Sequence, residues 1–167
     1  MAVVVMGVAG SGKTTVGTRL AEKLHCGFYD GDDYHPAANV EKMRRGQPLT
    51  DEDREPWLDR LRELIAEKLG TDESVVIACS ALKDAYRKRL LPTDPGLANR
   101  VRFLYLSISP EEARARLLSR PGHFMPATLV ASQFEALEEP TGALRIDAGR
   151  PVDDVVEDAF RRLPPAR

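Results

Sequence analysis

Cysteine is scarce, with 2 residues in a chain of 167, Cys26 and Cys79. Their separation matches no metal-ligand spacing and supports no disulfide framework, so buried thiols in a reducing compartment are expected. Long apolar runs are missing too; none approaches the roughly 20 residues that a membrane-spanning helix needs. A surplus of one charge is also absent: 24 Lys and Arg against 26 Asp and Glu leave a net charge of −2. That balance gives no case for broad nucleic-acid binding. Repeats and low-complexity blocks do not occur. A strand that begins at residue 2 leaves no room for an N-terminal targeting segment, so a cytoplasmic location is expected. What remains is an ordinary globular composition, 43% hydrophobic and 30% charged, which fits one domain over residues 1–167. The tail "LPPAR" is expected to fray.

The chain opens on the apolar run Ala2–Met6, rich in valine, as a strand buried on both faces is. Next comes Gly7-Val8-Ala9-Gly10-Ser11-Gly12-Lys13-Thr14, which fits G-x-x-x-x-G-K-[ST]. Val16, Leu20, Ala21 and Leu24 then mark one face of a helix. Strand, glycine loop and helix form the context that a phosphate-binding loop requires. Gly7 to Thr15 are therefore expected to bind a nucleoside triphosphate, most plainly ATP. Backbone N–H groups and the helix N-terminus would face the phosphates. Lys13 would reach the β- and γ-phosphates, and Thr14 would help to hold Mg²⁺. A regulatory GTPase would add an Asn-Lys-x-Asp guanine reader and a D-x-x-G switch; neither is present.

Further apolar runs at Gly27–Tyr29, Val75–Cys79, Val101–Leu106 and Ala143–Ile146 alternate with helical patterns. Trp57, Leu58, Leu61, Leu64, Ile65 and Leu69 form one stripe at 3.6 spacing. Ser109-Pro110-Glu111-Glu112 reads as a capping box with proline at the first helical position. Pro151 opens a last stripe that runs through Val152, Val155, Val156, Ala159, Phe160 and Leu163. Such alternation predicts a five-stranded parallel sheet with helices on both faces, an α/β P-loop kinase fold. Pro56 conflicts with a helix that starts at Thr50, so residues 50–55 are expected to form a separate turn.

Ligands of such sheets lie beyond the carboxyl ends of the strands. That rule brings "FYDGDDYHP" beside the phosphates. A kinase needs a group to accept the acceptor hydroxyl's proton, and Asp32 is the candidate. Asp30, nearest the strand end, is the candidate contact to Mg²⁺, and Asp33 reads as a solvated helix cap. Arg116 and Arg120 lie one helical turn apart and run into "PGHFMP", which reads as a mobile lid over about 116–127. Arg120 would reach the transferring phosphoryl group, and Arg116 would stack on the adenine. Arg54, Lys83 and Arg87 form a basic set suited to an acidic acceptor.

The segments "GVAGSGKTT", "DGDDYHPAANVEKMRRGQPLTDEDREPWL", "CSALKDAYR" and "RPGHFMPATLVASQFEALEEP" together resemble gluconokinases of the small P-loop type, whose fold is similar to that of shikimate kinase and the nucleoside monophosphate kinases. The resemblance runs from about Val3 to Pro140. It implies ATP-dependent phosphorylation of D-gluconate at the 6-hydroxyl, with Mg²⁺, and it suggests a homodimer. It also implies that His35, Asn39, His123 and Gln133 meet gluconate hydroxyls while one of the cations meets the carboxylate. Shikimate- or nucleotide-type kinases of the same fold are the alternative, and a regulatory NTPase is the remote one. The stretch "LLPTDPGLANR" and the residues after Pro140 carry no pattern of this kind.

Overall fold

The computed structural model of the chain describes residues 1–119 and 127–165. Five strands, β1 (Ala2–Met6), β2 (Gly27–Asp30), β3 (Val75–Ala78), β4 (Val101–Ser107) and β5 (Leu144–Asp147), form one sheet in the order β2-β3-β1-β4-β5. Every pairing is parallel, and each predicted strand falls within a residue or so of its expected ends. Central β1 is buried along its whole length. Its alternation divides the core. Ala2, Val4 and Met6 join Leu58, Leu61 and Ile65 on one face, and Val3 and Val5 join Leu20, Val155 and Ala159 on the other. Period-two alternation thus supplies an apolar surface for each of two helical layers.

The helices follow the strands: α1 (Lys13–Leu24), α2 (Ala37–Arg44), α3 (Asp51–Gly70), α4 (Asp84–Leu90), α5 (Pro95–Ala98), α6 (Pro110–Leu118), α7 (Ala127–Ala136) and α8 (Val152–Arg162). The capping box at Ser109 and Glu112 forms, with Pro110 in the first turn of α6. Phe160 sits at the edge of the last stripe, 37% exposed, with the Lys23 ammonium over its ring.

One expectation fails. Helix α3 starts at Asp51, not at Pro56, and carries the proline inside it. Thr50 Oγ1 accepts from the Asp53 N–H at 3.1 Å, and Asp53 Oδ2 accepts from the Thr50 N–H at 2.9 Å. This reciprocal cap, with three acids in the first turn, fixes the start upstream of the proline. Pro56 then lacks only the one N–H that would have reached the Glu52 carbonyl, and its ring lies on an exposed face. Helix α5 was not expected; Asp94 Oδ1 caps it by accepting from the N–H groups of Gly96 and Leu97. The expected lid falls largely on residues 120–126, outside the described residues; 116–118 belong to α6 and residue 127 begins α7.

Candidate active site

The loop after β1 requires its glycines. Gly10 and Gly12 have φ of +84° and +92°, the left-handed region that glycine enters without strain. A Cβ on Gly10 would also lie 2.7 Å from the Ala113 carbonyl oxygen, because α6 crosses directly against the loop. Gly12 is the N-cap of α1 and provides no side-chain cap, and the first turn of α1 holds no acid. The first N–H groups of α1 are thus left to an anion. Lys13 folds back so that Nζ donates to the Val8 carbonyl at 3.1 Å. Thr14 and Thr15 are exposed on the first turn, whereas Ser11 is buried with its hydroxyl unpaired by any described residue.

Strand β2 delivers the carboxylates. Asp30 Oδ2 accepts from the Thr14 hydroxyl at 3.0 Å, and Oδ1 accepts from the Asp32 N–H at 3.0 Å. The second bond caps a 3₁₀ turn over Gly31–Tyr34. That turn is fixed from below: Trp57 Nε1 donates to the Gly31 carbonyl at 2.7 Å, and a Cβ on Gly31 would meet the Ala78 carbonyl at 2.5 Å. Asp32 is itself exposed and follows the buried Gly31. Burial, then the Asp30 charge, raises its pKa above the ordinary carboxylate value; Lys13 opposes this and Asp33 adds to it. Thr14 and Asp30 offer neighbouring hard oxygen donors, the chemistry that suits Mg²⁺. Beneath them burial pushes the Cys79 thiol up to about 12, so it is inert packing.

The other candidate residues lie on or beside α2, α3 and α4. His35 stacks on Trp57, with ring centroids 4.2 Å apart at 16°. Burial first, and the Arg54 charge second, push its pKa down to about 4, so it is neutral at pH 7. Asn39 is buried and donates to the Asp53 carbonyl at 2.7 Å. Unfolded histidine titrates near 6.5 and folded His35 near 4, so the unfolded chain gains the proton first on acidification. Stability is therefore expected to fall as pH drops from about 6.5 towards 4. In urea unfolding at pH 7 and pH 5, His35→Phe, which keeps the stack, should lose less stability than the wild type; an equal loss would mean that His35 is not the group responsible.

The three candidate cations have different surroundings. Lys83 Nζ donates to both Asp51 oxygens at 2.9 Å, and the Tyr86 hydroxyl donates to Oδ1 of the same carboxylate. Arg87 is buried, 7% exposed, and its Nη1 donates to the carbonyls of Ala81 and Leu82 at 3.0 Å each. Arg54 donates from Nη1 alone, to the carbonyls of Leu49 and Thr50, with its guanidinium 5.7 Å from the Tyr86 ring centre. Its Nε and Nη2 have no hydrogen-bond acceptor among the described residues. The Asp51–Lys83–Tyr86 cluster was not foreseen; Asp51 lies more than thirty positions from Lys83 and Tyr86, and no local pattern announces the pairing.

Arg116 lies beside the phosphate loop. Its Nη1 would be 3.9 Å from a Cβ on Gly12, and Nη2 donates to the Ala148 carbonyl after β5. Gln133, on α7, accepts at Oε1 from the Ala9 N–H at 2.6 Å, which puts it on the loop backbone. Arg120 and His123 lie outside the described residues. No helix among the described residues is long and apolar enough to cross a membrane.

An AAA-domain family model matches residues 3–140. Over 172 aligned residues the chain is 45% identical to a probable gluconokinase of Xenopus tropicalis, covering 95% of this chain and 90% of the relative. It is 44% identical to a gluconokinase of Gluconobacter oxydans, covering 96% and 89% of the two chains. The crystal structure of a gluconokinase from Sinorhizobium meliloti superposes with a TM-score of 0.82 at 41% identity, over 96% of this chain and 89% of the other.

Proposed function

Because the chain belongs to the gluconokinase family, we propose that it transfers the γ-phosphoryl group of ATP to the 6-hydroxyl of D-gluconate. The observation that carries this reading is the placement of Asp32: its N–H donates to Asp30 Oδ1 at 3.0 Å, and Asp30 Oδ2 accepts from the Thr14 hydroxyl on the phosphate loop at 3.0 Å. A kinase uses such a carboxylate to take the proton of the acceptor hydroxyl as it attacks the γ-phosphorus.

In the proposed reaction the residues Gly7 to Thr15 hold the triphosphate, with Lys13 on its outer phosphates. Oxygen O6 of gluconate attacks the γ-phosphorus, the bond to the β–γ bridging oxygen breaks, and ADP leaves with that electron pair. The hydroxyl proton passes to Asp32. Thr14 and Asp30 would hold Mg²⁺, which when bound neutralises charge on the phosphate oxygens. Arg54 meets the gluconate carboxylate, since its Nε and Nη2 remain available as donors. Lys83 acts at one remove by orienting Asp51, and Arg87 by holding the carbonyls of the loop after β3. His35, neutral and fixed against Trp57, offers a gluconate hydroxyl a partner without charge. Arg116 flanks the nucleotide. Arg120 on the phosphoryl group and His123 on a hydroxyl, in a lid over about 116–127, complete the set. The working unit is one domain, residues 1–167, placed in the cytoplasm as a homodimer.

The test is ADP release with Mg-ATP in the presence of D-gluconate, shikimate, AMP or no acceptor. Release that depends on gluconate is expected. Dependence on shikimate or AMP would keep the mechanism and replace the substrate, and release without acceptor would refute the kinase reading.

A further inference from the structure

The Val8–Ala9 peptide is held at both of its ends. Its carbonyl accepts from Lys13 Nζ at 3.1 Å, and its N–H donates to Gln133 Oε1 at 2.6 Å. The Ser11 N–H also reaches the same carbonyl at 3.2 Å. This plane sits between two glycines of positive φ, Gly7 and Gly10, whose freedom would otherwise let it rotate. Among the described residues, Gln133 alone reaches in from outside the loop to hold the N–H end.

Helix α7, which carries Gln133, packs against the loop and its neighbours. Val130 is buried on α7, and Phe134, Ala136 and Leu137 pack against Val8, Leu82, Ala113 and Leu117. Beyond the helix the Glu138 N–H donates to the Leu82 carbonyl at 2.9 Å, and Glu138 Oε2 accepts from the Asp84 N–H at 2.6 Å. Helix α7 is thus tied to the phosphate loop at one point and to the start of α4 at another. The side-chain chemistry also fits the place. An amide oxygen accepts from a backbone N–H without bringing a charge beside a triphosphate; a carboxylate would accept but repel, and an ammonium cannot accept.

We infer that Gln133 is a positioning residue for the nucleotide loop: by clamping the Val8–Ala9 peptide it orients the Val8 carbonyl that holds Lys13, and so keeps the loop shaped for phosphate before ATP arrives. This assigns Gln133 to the ATP side of the site, not to a gluconate hydroxyl. The inference rests on the reading of this loop as an ATP site.

Gln133→Leu keeps the bulk and removes the acceptor. Without nucleotide, hydrogen–deuterium exchange of a peptide spanning residues 6–12 should be faster than in the wild type, whereas Gln133→Glu, which keeps an acceptor, should retain the protection. Thermal unfolding checks that each variant is folded. Titration with Mg-ATP in the absence of gluconate should show Gln133→Leu binding about tenfold more weakly, the size of effect that one lost hydrogen bond and a loosened loop produce. Its KM for gluconate should stay within about twofold of the wild type, a bound set by the absence of any lost acceptor contact. Unchanged exchange and ATP binding would overturn the inference, as would a raised gluconate KM with ATP binding intact. Failure of the wild type itself to bind Mg-ATP would instead remove the ATP-site reading on which the inference stands.

Discussion

Asp32→Asn is expected to lower kcat by about 10²- to 10⁴-fold, the range over which a positioned general base contributes, while ATP binding stays near that of the wild type. The substitution is isosteric, and the Asp32 side chain accepts no hydrogen bond from a described residue; it is the Asp32 backbone N–H that bonds Asp30. The turn should therefore survive. A pH profile sharpens the prediction. The base must be ionised, and burial together with Asp30 raises its pKa. Activity of the wild type should consequently fall on acidification at a higher pH than an ordinary aspartate would give. The step follows the loss of the carboxylate form, so the limb descends towards low pH. Asp32→Asn should have no such limb. Single-turnover measurements with saturating Mg-ATP and gluconate test this directly. Wild-type rates in the variant, or an acid limb that persists in it, would remove Asp32 as the base.

Much of this site was legible because its instructions are local. The phosphate loop needs glycines at fixed positions, and their spacing survives in one line of sequence; the structure adds that Gly10 is also demanded by the Ala113 carbonyl of a distant helix. The fully buried β1 and β3 read as valine-rich runs, whereas β2 and β5 hold no valine, are partly exposed, and were recognisable from their short apolar stretches in the alternation of strands and helices. The misreading of Pro56 has an equally local cause. The Thr50–Asp53 cap outcompetes the proline, and its Thr-x-x-Asp spacing is present in the sequence. What was not legible is long-range pairing. Lys83 and Arg54 read alike as exposed cations, but one is held by Asp51 and Tyr86 and the other keeps two donor nitrogens available. Arg87, four positions from Lys83, points into the protein and holds carbonyls. Gln133 read as one polar residue among several, because nothing in its neighbourhood announces that Ala9 lies at hydrogen-bond distance 124 positions away.

That distinction among the cations yields the second large effect. Arg54→Ala should lower kcat/KM for gluconate by about 10²- to 10³-fold, as expected when a charge-assisted partner of a carboxylate is removed, with little change in Mg-ATP affinity. Part of the loss will come from loosening residues 49 and 50, whose carbonyls Arg54 Nη1 holds. Arg54→Lys separates the contributions. A lysine ammonium restores the positive charge but cannot offer the planar two-nitrogen fork, so it should recover only a fraction of the activity if the fork meets the carboxylate. Lys83→Met provides the contrast. Its ammonium is already engaged by Asp51, and its removal should raise the gluconate KM less than Arg54→Ala does. If Lys83→Met proved the more damaging of the two, gluconate would have to displace Asp51 from Lys83 on binding, and the anion subsite would lie at the α3–α4 seam instead of at Arg54. The comparison therefore decides which of two neighbouring cations, indistinguishable by composition, recognises the acid that the hydroxyl chemistry requires.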